Sequence, residues 1–292
     1  MKKSVAEILK AAVARLETEN IDTPRLDAEI LLAHVLGWRR LSLYVDADKT
    51  LSLENILRFN DLITRRLEGV PVAYLTGFKE FMGLNFAVNE NVLIPRPDTE
   101  ILTEGVGKYL RGLGGEVTFA DLGTGSGAIC VSILKFVKIA RAYAVDVSEK
   151  ALDVARLNAK KFHVDDRVEF FCGDLFAPLE GKIFNAIVSN PPYIPTCELE
   201  TLQTEVKTEP RLALDGGDDG LNFYRRIAND APKFLIAGGL LAVEIGINQA
   251  AAVKNLMEQA GFVDVKIFKD LAGIERVVAG RNQIADRNFT TD

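Results

Sequence analysis

Histidine is almost missing from this chain: only His34 and His163 occur in 292 residues. Both read as helix residues, and neither lies near the motifs below. A histidine-based triad or a His-rich metal centre is therefore not expected, and no metal ligands are assigned. Cysteine is as sparse. Cys130, Cys172 and Cys197 form no close pair, so neither a disulfide framework nor a CxxC metal site is read. Each is expected to be a small buried or indifferent residue. Long apolar runs are missing too. Glu7 and Glu17 interrupt the apolar positions after Met1-Lys2-Lys3, and no stretch of membrane-spanning length appears. A cytosolic protein without a targeting or membrane segment is expected. An excess of positive charge is also absent. Lys and Arg number 35 against 41 Asp and Glu, for a net charge of -6. Direct nucleic-acid binding, which usually shows a basic domain, is not expected.

What is present has the balance of a soluble globular protein, 48% hydrophobic and 26% charged, with room for one or two domains. Residues 1–75 carry helical periodicity. Ser4 and Glu7 form a capping box ahead of Ile8, Leu9, Ala12, Val13 and Leu16. Thr23-Pro24 opens a second helix that Gly37 ends, and Ser52 starts a third that runs toward Leu67. Over residues 1–85 twelve basic residues balance twelve acidic ones, so this small helical bundle is no basic arm. Arg39-Arg40 and Arg65-Arg66 read as solvated faces. Phe78 to Val88 alternates around Gly83 and reads as a hairpin, making 76–95 a linker to a second domain, 96–292. Pro95 to Glu100 leads into a helix, either as helix-start chemistry or with an added role beside a ligand.

From Val117 the pattern alternates strand and helix. Strands are read at Val117–Leu122, Ala142–Val147, Arg167–Cys172, Ile183–Ser189 and Leu240–Ile245. Helices are read at Gly127–Val137, Glu149–Phe162, Leu221–Leu235 and Gln249–Ala260. Val263–Phe268 and Glu275–Ala279 close the sheet as an antiparallel pair. The polar tail after Arg281 is expected to fray. This order implies an α/β fold with a doubly wound, mostly parallel sheet.

Asp121-Leu122-Gly123-Thr124-Gly125-Ser126-Gly127-Ala128 joins the first strand to its helix. Glycines there permit positive φ and close approach of a ligand to the backbone. Gly123, Gly125 and Ala128 also fit a dinucleotide fingerprint, and Asp146 ends the second strand where a ribose-binding acid belongs. Asp121 discriminates. A carboxylate two residues before the first glycine would repel a pyrophosphate and suits a cation. S-adenosyl-L-methionine has an ammonium, a sulfonium, a ribose with both hydroxyls free, and no phosphate. Asp146 is read as accepting from those hydroxyls, each bond worth about 1.5–3 kcal/mol. Asp174, on the Gly173-Asp174-Leu175-Phe176 turn, is read as accepting from the adenine amino group, with Leu175 and Phe176 flanking the ring.

Asn190-Pro191-Pro192-Tyr193 stops the fourth strand abruptly, since proline lacks an N–H and fixes φ. The turn leaves an amide, free carbonyls and an aromatic ring at the carboxyl end of a strand, where open α/β sheets bind ligands. These groups suit a planar, weakly nucleophilic nitrogen. The Asn190 side-chain oxygen accepts one N–H, the Pro191 carbonyl the other, and Tyr193 stacks on the plane. The nitrogen's remaining lobe is then aimed at a methyl donor. No general base is needed first.

With these motifs stand Asp22-Thr23-Pro24-Arg25-Leu26-Asp27-Ala28-Glu29, Tyr74-Leu75-Thr76-Gly77, Ile94 to Glu100, Glu209-Pro210, and Asp219-Gly220-Leu221 through Arg225. Together they resemble the HemK/PrmC family of release-factor glutamine N5-methyltransferases nearly end to end. The resemblance implies a class I, Rossmann-like methyltransferase domain behind an N-terminal helical domain. It implies S-adenosyl-L-methionine as cofactor, held by Gly123 to Gly127, Asp146, Leu175 and Asn190. It implies that Asn190 to Tyr193 hold the glutamine of the Gly-Gly-Gln motif of class 1 peptide chain release factors, the protein partner. Three rivals remain open at this level: a nucleic-acid exocyclic-amine methyltransferase, disfavoured by the acidic balance; a nicotinamide-dependent dehydrogenase, which leaves Asp121 and the Asn-Pro-Pro-Tyr turn unexplained; and a non-catalytic binding protein.

Overall fold

The computed structural model describes residues 3–19 and 21–283; the polar tail beyond Gln283 lies outside them. The chain divides into two compact units, Met1–Phe78 with Gln203–Thr208, and Lys79–Leu202 with Glu209–Asp292.

The first unit holds α1 (Val5–Glu17), α2 (Pro24–Leu36), α3 (Arg40–Val45), α4 (Leu53–Leu67) and α5 (Val72–Thr76). The capping box closes as the sequence implies. Ser4 Oγ accepts the Glu7 N–H at 3.2 Å, and Glu7 Oε2 accepts the Ser4 N–H at 2.8 Å. Gly37 ends α2 at φ 65, the left-handed cap that glycine adopts without a Cβ penalty. Val5, Leu16, Leu31, Phe59 and Ile63 form its core. Of the two arginine pairs, Arg39, Arg40 and Arg65 are exposed, as read, whereas Arg66 is not. Arg66 is 3% exposed, donates to Asp27 at 2.7 Å, and also pairs with Glu205. Arg40, which opens α3, pairs with the buried Glu29 at 3.2 Å.

The second unit starts at Lys79, inside a hairpin of β1 (Phe78–Phe81) and β2 (Leu84–Ala87) that turns at Met82 (φ 53) and Gly83 (φ 71). Two positive φ values match the right-handed strand twist. The hairpin is core: Phe81 and Phe86 are buried in the larger apolar cluster. Next come α6 (Thr99–Leu113), β3 (Val117–Leu122), α7 (Ala128–Phe136), β4 (Ala140–Asp146), α8 (Glu149–Lys161), β5 (Val168–Cys172) and β6 (Phe184–Ser189). The chain ends with α9 (Thr204–Lys207, grouped with the first unit), α10 (Asn222–Asp230), β7 (Leu235–Glu244), α11 (Ala250–Gln259), β8 (Phe262–Lys269) and β9 (Glu275–Asn282).

The sheet order is β5-β4-β3-β6-β7-β9-β8, parallel as far as β7, with β9 antiparallel to both β7 and β8. The order reverses beside β3, which pairs with β4 on one side and β6 on the other. Successive strand residues alternate between two clusters, as a pleat requires. Phe119, Ala144 and Val188 join α6 and α7, whereas Ala120, Val145 and Ile187 join α10 and α11.

Three expectations fail. The helix read to Leu235 ends at Asp230, because Pro232 follows and the chain turns into β7. That strand begins at Leu235 rather than Leu240. The Gly238-Gly239 pair, with Gly238 at φ 73, disguises its first half as a turn. His163 lies beyond α8 at φ 56, in the turn to β5, not in a helix.

Candidate active site

The carboxyl ends of β3, β4, β5 and β6 surround a cavity of about 340 Å³. Its lining includes Gly123, Gly125, Asp146, Asp174, Leu175, Asn190, Pro191 and Pro192. These residues span positions 123 to 192, and the parallel sheet brings them to one rim. Leu122 pairs with Ser189, and Ser189 Oγ donates to the Leu122 carbonyl at 2.7 Å. The glycine loop and the Asn-Pro-Pro turn thereby leave adjacent strand ends.

The loop is shaped from below. The Gly123 and Thr124 N–H groups donate to the Val145 carbonyl at 2.8 and 2.9 Å. Gly125 stands at φ 54, and a Cβ there would enter open space. Gly127 plays a packing part: a Cβ would stand 3.2 Å from the Ala155 Cβ. Asn158, which the motifs do not flag, ties the loop down. Its Nδ2 donates to the Ser126 carbonyl at 2.9 Å, and its Oδ1 accepts the Ala87 N–H at 2.7 Å. Asp121, Thr124, Ser126 and Gly127 are not lining residues. Asp121 is fully buried. Its Oδ2 accepts from Thr124 Oγ1 at 2.7 Å and from the Cys130 N–H at 3.2 Å, while its Oδ1 has no partner among the described residues. Burial pushes this carboxyl up to about 6 against the Thr124 and Cys130 bonds, and the Asp146 charge adds to the rise.

Asp146 is held at both oxygens. Oδ1 accepts the Ser148 N–H and Oδ2 the Gly125 N–H, each at 2.9 Å. Burial raises its pKa against those bonds. Each oxygen still has a lone pair free, so the carboxylate retains capacity for further donors. Asp174 is exposed and ion-paired to Arg226 at 2.6 Å. Leu175 lines the cavity from φ 50, a costly angle for a leucine. Phe176 does not flank the cavity as expected. Its ring is buried and stacks on Phe234 with centroids 4.6 Å apart. Phe223 lines the cavity instead, with Val92, Leu93 and Leu212; these are isolated apolar residues in loops or at a helix start, with no periodicity to reveal them.

Asn190 is oriented by the Pro-Arg-Pro-Asp-Thr-Glu segment. Its Nδ2 donates to Thr99 Oγ1 at 3.3 Å. Glu209, 5% exposed, accepts the Ile94 N–H at 3.0 Å and pairs with Arg96. Asp98 pairs with Arg276 at 2.8 Å. The Tyr193 ring is not a lining residue. It is largely buried, and burial with the Glu244 charge pushes its phenol up to about 12. Its backbone is gripped from the glycine-rich stretch Asp215 to Gly220. A Cβ on Gly216 would lie 2.8 Å from the Tyr193 Cα, and one on Gly220 would lie 2.3 Å from the Tyr193 carbonyl oxygen. Gln249 Nε2 donates to that oxygen at 2.9 Å. This gives the Asp-Gly-Leu signature a physical content that the sequence left unassigned.

The arrangement offers an anion-lined, partly apolar cavity with an amide and two prolines on one wall. Tests against known proteins agree with it. Residues 7–77 match the PrmC N-terminal domain family, and residues 99–209 match the methyltransferase small domain family. The chain is 43% identical over 279 residues to the release factor glutamine methyltransferase of Geobacter sulfurreducens, covering 95% of this chain and 96% of that one. It is 44% identical over 274 residues to the release factor glutamine methyltransferase of Moorella thermoacetica, covering 94% and 96%. A methyltransferase from Pyrococcus furiosus shares the fold at a TM-score of 0.53 and 19% identity, over 77% of this chain and all of that one. With a class I methyltransferase sheet and relatives that match it nearly end to end, this chain belongs to the release factor glutamine methyltransferase family.

Proposed function

We propose that the chain methylates the side-chain amide nitrogen (N5) of the glutamine in the Gly-Gly-Gln motif of class 1 peptide chain release factors. S-adenosyl-L-methionine, when bound, supplies an electrophilic methyl group on a sulfonium. The donor set fits it. The orphaned, buried Asp121 Oδ1 and the raised pKa of that carboxyl suit a nearby cation. Asp146 keeps lone pairs for a vicinal diol, the glycine loop admits close approach, and Leu175 and Phe223 give apolar walls. Asp121, Gly123, Thr124, Gly125, Ser126, Gly127, Asp146, Asp174, Leu175 and Asn190 form this half of the site; the buried members shape the loop and the lining members make contact.

Asn190, Pro191, Pro192 and Tyr193 form the acceptor half. The observation that carries the reading is the direction of the Asn190 amide. With Nδ2 committed to Thr99, Oδ1 remains as an acceptor for one N–H of the glutamine amide. The Pro191 carbonyl takes the other N–H. Two acceptors orient the nitrogen and favour the positive charge that grows on it. The partly buried Tyr193 ring backs the turn. The excess proton leaves after transfer, when the nitrogen has become acidic.

The helical unit, with no chemistry of its own, recognises the release factor away from the glutamine, and the setting is the cytoplasm. Incubation with a release factor and labelled S-adenosyl-L-methionine, followed by mass mapping, tests the assignment. Label on the Gly-Gly-Gln glutamine is the expected result. Label on a nucleic acid instead, with steeply salt-dependent binding, would favour the exocyclic-amine alternative.

A further inference from the structure

The second unit holds a buried carboxylate beside the Asn-Pro-Pro-Tyr turn. Glu244 is the last residue of β7, and its neighbour Val243 pairs with Ser189, the residue before Asn190. It is 2% exposed, and Oε2 has no hydrogen-bond partner among the described residues. A carboxylate at such depth is costly to keep without purpose. The side chains of Thr99 and Asn190 are near enough to it to lower its pKa. Asn190 Nδ2 also donates to Thr99 Oγ1 at 3.3 Å. The three groups therefore form one cluster: carboxylate, hydroxyl and amide.

The chemistry of the set has one consistent proton arrangement. An ionised carboxylate only accepts. The Thr99 hydroxyl must then donate to Glu244, leaving its lone pairs for Asn190. The only end of the Asn190 amide that can face both groups is the NH2 end. Its oxygen is turned the other way. A serine or threonine alone could not enforce this, because a hydroxyl can donate to the amide oxygen as readily as it accepts from the nitrogen.

We propose that the ionised Glu244 carboxylate is a positioning residue that fixes the Asn190 amide, directly and through Thr99, with Oδ1 turned toward the acceptor nitrogen. This rests on the reading that Asn190 Oδ1 accepts an N–H of the substrate amide, and it adds what aims that oxygen. Protonation undoes the device. A protonated Glu244 donates to Thr99, the hydroxyl is released to donate to the amide oxygen, and the amide is free to turn over.

The surroundings tune the charge. Burial pushes the Glu244 carboxyl up to about 7, Thr99 lowers it, Asp98 raises it, and Arg276 and Asn190 lower it. Asp98 precedes α6, Arg276 lies on β9 and pairs with Asp98 at 2.8 Å, Tyr193 sits on the turn, and Tyr224 of α10 donates to the Glu244 backbone carbonyl at 2.9 Å.

The test uses the full chain, a purified release factor and labelled S-adenosyl-L-methionine, with kcat measured from about pH 5.5 to 9. Glu244→Gln keeps the shape and removes the charge. It is expected to lower kcat at least about tenfold at pH 8 and to abolish an acidic limb that the unmodified enzyme shows near pH 7. Cofactor affinity by calorimetry should stay close to that of the parent and the melting temperature should not fall, which a purely structural role would not allow. A parental kcat and pH profile in Glu244→Gln would overturn the proposal. If that variant does not fold, Thr99 decides. Thr99→Val should lose kcat and Thr99→Ser recover most of it; equal kcat in the two would overturn the relay. Asn190→Ala separates this inference from the reading beneath it. Loss of kcat in Asn190→Ala with none in Glu244→Gln refutes the role of Glu244 alone. No loss in Asn190→Ala refutes the acceptor role of Asn190 itself.

Discussion

Asp146 Oδ2 accepts the Gly125 N–H at 2.9 Å, so the acid that ends β4 also clamps the middle of the loop that follows β3. One side chain both presents lone pairs to the cavity and holds its floor. Asp146→Ala should therefore weaken S-adenosyl-L-methionine binding by about 10–100-fold, the scale of one or two lost charge-assisted bonds. Calorimetry with the unreactive product analogue measures this directly. An unchanged affinity would remove the ribose role.

Asn190→Ala should lower kcat by about 10²–10³ even at saturating S-adenosyl-L-methionine, as expected for losing one oriented transition-state partner. Single-turnover rates with a saturating release factor give the number. A parental rate would exclude the amide from the chemistry.

Gly220 stands at φ 74, and a Cβ would lie 2.3 Å from the Tyr193 carbonyl oxygen. Gly220→Ala is expected to push the Asn-Pro-Pro-Tyr turn off its register. Small displacements at a reacting centre cost rate steeply, so kcat should fall at least about tenfold with cofactor binding retained. Equal loss of both would mean that the substitution unfolds the domain.

Asp121 makes the ligand-free protein sensitive to pH. Its folded pKa of about 6 lies above the ordinary 3.8. The folded state therefore binds the proton more tightly. The resulting stability is fully present below pH 3.8 and is lost as pH rises through about 6. The loss is of the order of 3 kcal/mol from this group alone. Urea unfolding of the parent and of Asp121→Asn between pH 4 and 7 isolates it: the parent's decline should be shallower in the variant. Parallel curves would show that Asp121 does not carry the effect.

In the first unit, Arg66→Ala should cost about 3 kcal/mol, because it strands the buried Asp27 carboxylate. The urea midpoint reads this, and a change below about 0.5 kcal/mol would show the pair to be dispensable.

The chemistry-bearing turns were readable because backbone constraints write themselves into composition. Gly123, Gly125 and Gly127 need positive φ, and Pro191-Pro192 must end a strand. Strand order followed from alternation with helices, which put β6 beside β3. What escaped reading was set by tertiary partners. Phe176 and Phe223 are equally apolar in sequence, and only packing against Phe234 turns the first inward. The strand start at Leu235 was hidden by two glycines. Arg66 looked like half of a solvated pair because its partners Asp27 and Glu205 are 39 and 139 positions away.

That last distance has a temporal meaning. Synthesis runs from the N-terminus, and domains generally fold as they emerge. The helical unit of this protein cannot finish that way. Arg66 leaves the ribosome long before Glu205, and Gln203–Thr208 completes the unit only after β3 to β6 have been made. Until then the nascent bundle carries an incompletely paired buried guanidinium. Both units are therefore completed late in translation, the helical one with Gln203–Thr208 and the sheet after it, with β7 to β9.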